Sequence, residues 1–291
     1  MLNIAYYRNR SSSQLVGMPL STVTGFPSVQ ANLDATVQNS GWEFELHATP
    51  FKGKDFNWAT SVNLTVAKNK LIAFPNLEGS GYAQQYVVGQ PLDIRKLYRY
   101  TGINPETGLY SFQDYNGDGM ISYPADSQYT VSLAPDFFGG LQNNVTYKNW
   151  QLDFLFQFVK QKGYNATNTG AIPGVGVNQP VEISNNGMPS GSGNIQLYTA
   201  GYNSEAVTAF NRYANSDGVI SDASYIRLKN LSLSYSLPVA WNKYADCSIY
   251  FQGQNLLTIT NFKGADPENQ MRGSLPPLRV LSMGVRLNLK P

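Results

Sequence analysis

The stretch Trp42-Glu43-Phe44-Glu45-Leu46-His47-Ala48-Thr49 alternates apolar and polar side chains along its whole length. Successive side chains of an extended strand point to opposite faces, so this pattern predicts a strand with one apolar and one polar face. The same alternation recurs in residues 55–67, 150–157 and 281–290. We therefore predict a fold made of strands that are buried on one face only.

Roughly nine segments of this kind follow one another, each near the 9–11 residues that a tilted strand needs to cross a bilayer. They lie near residues 2–9, 40–50, 55–68, 92–102, 137–149, 150–162, 222–237, 246–259 and 278–290. No stretch shows a convincing helical period, so the predicted fold is all-β and antiparallel. The alternation changes phase between Leu228 and Leu231, which predicts a β-bulge near Asn230.

The connections between these segments are of two kinds. Those at residues 50–54 and 149–150 are tight, whereas residues 69–91, 103–136 and 163–220 form long loops. Short turns at one rim and long loops at the other are typical of an outer-membrane barrel. A soluble β-sandwich would distribute its loops more evenly, and it is kept as the alternative.

Composition narrows the class of protein. Charged residues make up 14% of the chain, against roughly 25% in soluble domains, and the net charge is only +2. We expect no nucleic-acid partner on that balance. Cys247 is the only cysteine and falls on an apolar phase, so no disulfide within the chain and no cysteine metal site are expected. No apolar run is long enough for a transmembrane helix, and the first residues lack the apolar core of a secretory signal.

One loop carries the oxygen spacing of a calcium site. Counted from Asp114 as position 1 of an EF-hand-like loop, Gly119 occupies position 6, where the sharp turn requires glycine. Position 12, which carries an acidic ligand in an EF-hand, is Ala125, and the nearest acidic residue, Asp126, comes one residue later. The candidate ligands are Asp114, Asn116, Asp118, the Met120 carbonyl, Ser122 and Asp126. The alternative is a tight turn, because Asn-Gly and Asp-Gly are common turn dipeptides. Both interpretations stay open, and a calcium ion is the only cofactor considered.

Catalytic residues are not predicted. His47 is the only histidine, and it lies in an alternating strand beside Glu43 and Glu45, where strand periodicity alone explains the spacing. We therefore expect no enzyme activity.

Aromatic residues form two further groups. Trp42, Trp58, Trp150 and Trp241 lie at or near predicted strand ends, as the girdle residues of a membrane barrel do, although ordinary sheet packing is the alternative. The aromatic residues of the long loop, which include Tyr198, Tyr202, Phe210 and Tyr213, are candidates for substrate contact. They could stack on sugar rings or pack under a lid.

Ten short stretches occur in an order that resembles a known family. They are YYRNR at 6–10, QNSGWEF at 38–44, FNW at 56–58, VGQP at 88–91, DYNGDG at 114–119, VTYKNW at 145–150, SYIRLKNL at 224–231, LSYSLP at 233–238, NL at 255–256 and GADPE at 264–268. Each is weak alone, but in this order they resemble the C-terminal barrel portion of SusC/RagA-type TonB-dependent outer-membrane transporters of Bacteroidetes. The resemblance implies a barrel of about 22 strands, of which residues 1–291 supply fewer than half.

The resemblance also implies a role and partners. Residues 1–291 are expected to be the C-terminal part of the barrel, with the plug domain and signal peptide outside this chain. The whole protein is expected in the cell outer membrane, in contact with lipid, importing oligosaccharides or peptides with a SusD-like surface lipoprotein and with TonB-ExbB-ExbD. The alternative is a carbohydrate-binding β-sandwich, soluble or at the cell surface, with a calcium-braced loop.

Overall fold

A computed structural model describes residues 1–19, 22–165, 172–176, 178, 195–196, 203–238, 245–269 and 275–289. Within these ranges the chain forms fourteen strands and one α-helix. The strands are β1 (Leu2–Pro19), β2 (Ser28–Lys52), β3 (Phe56–Ala73), β4 (Ile94–Leu97), β5 (Tyr100–Ile103), β6 (Tyr110–Phe112), β7 (Tyr129–Ser132), β8 (Phe137–Tyr147), β9 (Trp150–Lys160), β10 (Lys162–Tyr164), β11 (Ile220–Asp222), β12 (Tyr225–Ser236), β13 (Ala245–Thr260) and β14 (Val280–Leu289). The helix is α1 (Ser204–Ala214).

Eight of the strands form one antiparallel sheet in the order β1-β2-β3-β8-β9-β12-β13-β14. Neighbours in this sheet follow one another along the chain, and the other strands belong to the connections between them. The sheet is open, with β1 and β14 at its edges among the described residues. This is the fold of a partial barrel, so the predicted class is confirmed, with the addition of one short helix.

The hairpins differ at the two ends of the sheet. β8 and β9 are joined by two residues, Lys148 and Asn149, of which Lys148 adopts the left-handed backbone conformation that such a turn requires. At the opposite end, the β1–β2 pairing continues far beyond the rest of the sheet, to Pro19 opposite Ser28. The three small two-stranded sheets, β4–β7, β5–β6 and β10–β11, belong to the long connections.

Eight of the nine predicted segments are strands of this sheet. The segment 92–102 is wrong as a sheet strand, because it divides into β4 and β5, which pair with β7 and β6 instead. The predicted bulge is confirmed, since the register of β12 shifts between Leu228 and Asn230 against both of its neighbours.

The absence of helix was also a wrong prediction. The buried residues of α1 are Ala206, Ala209, Phe210 and Tyr213, which have the spacing of one helical face. The signal is short, and two of the four residues are alanine, so it is hard to see within a polar loop. Asn203 caps the helix by accepting the backbone N–H groups of Glu205 and Ala206.

Buried side chains concentrate in the long connections rather than between two sheets. One cluster consists of Tyr110, Ala209, Phe210, Tyr213 and Val219, and joins α1 to β5 and β6. A second consists of Ala35, Leu71 and Phe74, where residues following β3 fold over the ends of β2 and β3. The connections therefore have cores of their own, and the sheet is left with wide exposed faces.

Candidate functional site

The register of the sheet gathers large apolar side chains on one face. Val62, Leu141, Phe156, Leu228 and Leu257 are paired in one continuous row across five neighbouring strands. The same face continues to the β14 edge, where Met283 and Val285 are 84% and 60% exposed. Cys247 lies on it opposite Leu287, as its apolar phase predicted. No described element covers this face.

An aromatic row borders the apolar face at the end with the short turns. Phe56, Tyr147, Trp150 and Tyr235 are paired in sequence across four strands. The rings of Trp150 and Tyr235 lie 4.6 Å apart between centroids. Trp58 lies two residues farther along β3 and donates its indole N–H to Asn143.

A second aromatic pair lies at the other end of the apolar face. Tyr6 and Trp42 are paired, with ring centroids 4.9 Å apart, and Trp42 is paired in turn with Val66. Trp42 is therefore in the middle of β2, and the prediction that it lies near a strand end is wrong because β2 runs far beyond the sheet's apolar part. Trp241 lies outside the described residues.

The opposite face of the sheet is polar and mostly uncharged. Around the bulge of β12 it forms a shallow pocket of about 270 Å³. The polar residues that line it are Gln142, Asp153, Asn230, Ser232, Gln252 and Gln254. Asp153 accepts hydrogen bonds from Asn144 and Gln151. Such a surface offers many hydrogen-bonding groups and little fixed charge to whatever lies against it.

His47 is also on the polar face, but its environment is that of a wall residue. Its imidazole contacts the Ser61 hydroxyl and the Glu45 carboxylate, each at 2.8 Å. The His47 side chain is half exposed. Glu43 lies on the same face of β2, two residues before Glu45, and does not contact His47. Ser61 is the direct cross-strand partner of His47, and Glu45 lies two residues before it on β2, so the register of the sheet alone accounts for these contacts.

Two of the predicted loop aromatics lie in the cluster beneath α1. Phe210 and Tyr213 are 5% and 6% exposed, and the Tyr213 ring stacks on Tyr110 with centroids 4.1 Å apart. Tyr100 meets both tyrosines edge-on, and burial raises the pKa of its hydroxyl to about 12. Phe210 and Tyr213 thus pack in the core of the loops, and contact with a substrate stays a prediction. Tyr198 and Tyr202 lie outside the described residues.

An open groove of about 510 Å³ runs beside this cluster. It lies between α1 and the β5–β6 hairpin, with Glu205 and Arg212 on the helix side. Arg212 donates a hydrogen bond to the Ile121 carbonyl. This bond joins the helix to residues 114–126, the loop with the calcium-like spacing, which we call the calcium-like loop.

The calcium-like loop is held by hydrogen bonds from its own backbone. Asp114 accepts the N–H groups of Gly117 and Gly119, and Asp118 accepts that of Met120 and the Asn116 amide. Both glycines have positive φ, which the sharp-turn position requires.

The remaining predicted ligands, Ser122 and Asp126, lie at the base of this loop. Among the described residues no cluster of three His, Cys, Asp or Glu side chains suited to a metal is found. Carboxylate oxygens have a second lone pair each, so calcium binding here stays a prediction.

Asp126 has a role that the sequence did not predict. Its side chain is completely buried, and its two oxygens accept the backbone N–H groups of Tyr115 and Ser122, at 2.7 and 2.8 Å. Its pKa is lowered, chiefly because the Ser122 N–H favours the carboxylate form. Asp126, one of the candidate calcium ligands, therefore closes the base of the loop, one residue beyond position 12 of the EF-hand-like count.

A buried ionic network was also missed. Arg227 is 1% exposed and contacts Asp266, Glu268 and the Thr258 hydroxyl, while Glu268 also pairs with Lys229. The network fastens the segment after β13 onto the polar face of β12. Arg227 and Lys229 are the two charged residues of β12, and their presence in a strand with few charges was the available signal.

Relatives of known description match almost the whole chain. TonB-dependent receptor P3 of Formosa agariphila is 28% identical over 99% of this chain. TonB-dependent receptor SusC of Bacteroides thetaiotaomicron is 25% identical over 90% of it. The chain covers 32% and 27% of these two proteins, so it spans about a third of their length or less. No family model matches.

The fold also matches solved structures of a peptide transporter. The RagAB peptide transporter superposes on 98% of this chain with a TM-score of 0.77 and 22% identity, and 33% of the matched chain is covered. A second structure, of the RagAB peptide importer in an open-open state, gives a TM-score of 0.74 over 99% of this chain. The resemblance identified from the sequence is confirmed: the homologues of this chain are TonB-dependent receptors, SusC among them.

Proposed function

We propose that this chain forms part of the barrel wall of a SusC-like transporter that takes up nutrients across the outer membrane. The observation that carries the proposal is the uncovered apolar face, continuous over neighbouring strands and bordered by aromatic residues at both ends. In water such a face would be strongly unfavourable, whereas the outside of a membrane barrel consists of an apolar band between two aromatic girdles.

The height of the apolar band supports a membrane setting. Ten residues separate Phe56, in the first aromatic row, from Val66, which is paired with Trp42 in the second. At about 3.4 Å per residue this is about 34 Å along the strand. A strand tilted by about 45° spans about 24 Å of membrane over that length, close to the roughly 25 Å expected of an outer-membrane barrel.

The chain covers about a third or less of the length of its relatives, so we expect the complete protein to contain further parts. We propose that residues 1–291 are the C-terminal portion of the barrel, and that the free edges of β1 and β14 pair with strands contributed by the remainder. Pairing would satisfy the backbone groups of both edges, which lipid cannot do. A plug domain, energy from TonB-ExbB-ExbD and a SusD-like lipoprotein would complete the transporter.

Within that transporter, the polar face of the sheet would line a water-filled path for cargo. The amide and hydroxyl groups around the β12 bulge would face the lumen, where they can exchange hydrogen bonds with water, a plug or a passing oligosaccharide or peptide. The cluster beneath α1 would hold the long loops together at the outer mouth. We propose no catalytic step for any of these residues.

The soluble β-sandwich is not favoured as an alternative. A sandwich buries the apolar face of one sheet against a second sheet about 10 Å away. The described strands form one large sheet, and the three small sheets belong to the connections. Among the described residues no helix is both long and apolar enough to span a membrane.

Uptake by the full-length protein carrying this sequence tests the proposal. We expect it in the outer-membrane fraction, with a mobility on gels that changes on heating as folded barrels do. We also expect cells that produce it to accumulate a labelled oligosaccharide or peptide in a TonB-dependent manner. A soluble, monomeric species that melts cooperatively in plain buffer would contradict the proposal and restore the sandwich.

A further inference from the structure

A cluster of four cations lies on the outer face of the sheet, just beyond the Tyr6–Trp42 pair. Arg8 is paired with Ser40, and Ser40 with Lys68; in the next row Arg10 is paired with Gln38, and Gln38 with Lys70. All six residues share the phase of Tyr6 and Trp42, so they are on the apolar side of the wall rather than the polar side. We call Arg8, Arg10, Lys68 and Lys70 the basic patch.

The dimensions of the basic patch follow from strand geometry. Side chains two residues apart on one strand are separated by about 7 Å, and β1 and β3 are about 10 Å apart. All four side chains are exposed. Four positive charges thus occupy a rectangle small enough for one or two phosphate groups to contact several of them at once.

The patch holds like charges together without an acidic partner in the described part of the chain. The ion pairs found there involve other residues. The Nε atoms of Arg8 and Arg10 both donate to the same oxygen of Gln38, at 2.7 and 2.8 Å. Like charges side by side are destabilising unless an anion compensates them. The shared amide directs both guanidinium groups while leaving their outer N–H groups available.

The position of the patch identifies the anion. The aromatic pair marks the end of the apolar band, and the patch begins two residues, or about 5 Å of membrane height, beyond it. This is the level at which the phosphates of lipid head groups lie. It is also the rim with the long loops, which is the outer surface of the cell in the proposed orientation.

We propose that the basic patch binds the phosphate groups of lipid molecules in the outer leaflet. The inference rests on the proposed membrane function and extends it to a specific lipid contact. The acyl chains would lie on the apolar face beneath Tyr6 and Trp42, and the phosphates would accept hydrogen bonds from the guanidinium and ammonium groups. Both parts of one lipid are thereby matched by adjacent parts of one surface.

The test compares lipid retention by the full-length transporter and two variants with equal charge loss. The first variant carries Arg8→Gln, Lys68→Gln and Lys70→Gln; the control carries Lys52→Gln, Lys54→Gln and Lys148→Gln at the short-turn rim. Each protein is purified in detergent and incubated with lipid A, with dephosphorylated lipid A or with inorganic phosphate. Bound lipid is counted by native mass spectrometry, and inorganic phosphate is assessed by the temperature at which the barrel unfolds.

We expect the parent and the control to bind lipid A on the order of 100-fold more tightly than the first variant, because the variant lacks three basic residues that each contribute about 1 kcal/mol near a membrane surface. Dephosphorylated lipid A should bind the parent as weakly as lipid A binds the variant. Equal binding of lipid A by all three proteins would overturn the proposal. An unfolding temperature of the parent that inorganic phosphate raises as much as lipid A does would also overturn it, because the patch would then be a site for free phosphate. A parent absent from the outer membrane would overturn the transporter function as well, so the two failures are distinguishable.

Discussion

Asp126 and Arg227 show how single buried charges organise the connections of this protein. Each is enclosed, and each contacts groups that satisfy its charge, backbone N–H groups for Asp126 and carboxylates for Arg227. A buried charge is tolerated only when it is satisfied in this way. Both residues therefore specify where a connection lies, and their replacement should affect loops before it affects the wall.

Replacing Asp126 should open the calcium-like loop. Asp126→Ala removes both acceptors of the Tyr115 and Ser122 N–H groups, which would be left unpaired in a partly buried site. We expect proteolytic cleavage between residues 114 and 127 to become at least several-fold faster in the full-length protein, with barrel mobility on gels unchanged. Asp118→Ala, on the exposed part of the loop, is the control and should be cut more slowly than Asp126→Ala.

The same loop should be stable to moderate acid. The folded pKa of Asp126 lies below its usual value of 3.8, so its carboxylate stabilises the loop above that pH. This stabilisation is lost only as pH falls further, through the folded pKa. Protease protection of the parent should therefore persist from pH 7 to about pH 4. Loss of protection near pH 6 would show that another group controls the loop.

Calcium binding gives a separate prediction at Asp114 and Asp118. If the loop takes a cation, titration calorimetry of the full-length protein should show binding in the millimolar range that extracellular calcium modules display. Asp118→Ala should abolish that heat. Equal heats in the two proteins would leave the tight turn as the explanation of the motif.

Replacing Arg227 should release the segment after β13. Arg227→Met leaves Asp266 and Glu268 without their buried partner, and breaking such a pair typically costs about 3–5 kcal/mol. We expect a lower unfolding temperature and faster cleavage near residues 264–268. Lys229→Gln removes a more exposed partner of Glu268 and should cost no more than about 1 kcal/mol. Similar effects of the two changes would contradict a buried network.

At the scale of elements, alternation was a reliable guide to the wall and a poor one to the connections. The two faces of a wall strand meet different surroundings, one polar and one apolar. Its side chains therefore alternate, and the strand can be recognised from its own sequence without knowledge of its partners. The segment 92–102 also resembles a strand, but its two halves pair with different partners, β4 with β7 more than thirty residues away and β5 with β6 within the next hairpin. The ionic network of Arg227 likewise joins residues about forty positions apart.

Close packing of β3 against β8 gives a prediction for one glycine. A Cβ atom at Gly139 would lie 2.1 Å from the backbone oxygen of Asn63 and 2.5 Å from the Phe158 ring, whereas at Gly140 the nearest atom is 3.5 Å away. Gly139→Ala should therefore destabilise the barrel by about 1–3 kcal/mol through overpacking. Gly140→Ala should be tolerated. The unfolding temperatures of the two full-length variants measure the difference, and equal values would contradict the register.

At the scale of the whole molecule, the two faces of the wall should respond oppositely to charge. Leu231 and Ser232 are neighbours on β12 but lie on the apolar and polar faces, near the middle of the proposed band. Leu231→Arg should cost about 2–4 kcal/mol in lipid and reduce the amount of folded protein in the outer membrane. Ser232→Arg should insert normally. A reversed order would mean that the faces have been assigned the wrong way round.

The short ladder between β10 and β11 has a consequence for the alignment of the wall. It pairs Lys162 with Asp222 and Tyr164 with Ile220, immediately beyond the ends of β9 and β12. The ladder joins the two ends of the long segment between β10 and β11. The pairing of β9 with β12 is therefore fixed independently of the residues in that segment. In the proposed transporter, a segment of different length or chemistry between β10 and β11 would therefore leave the alignment of β9 and β12 unchanged.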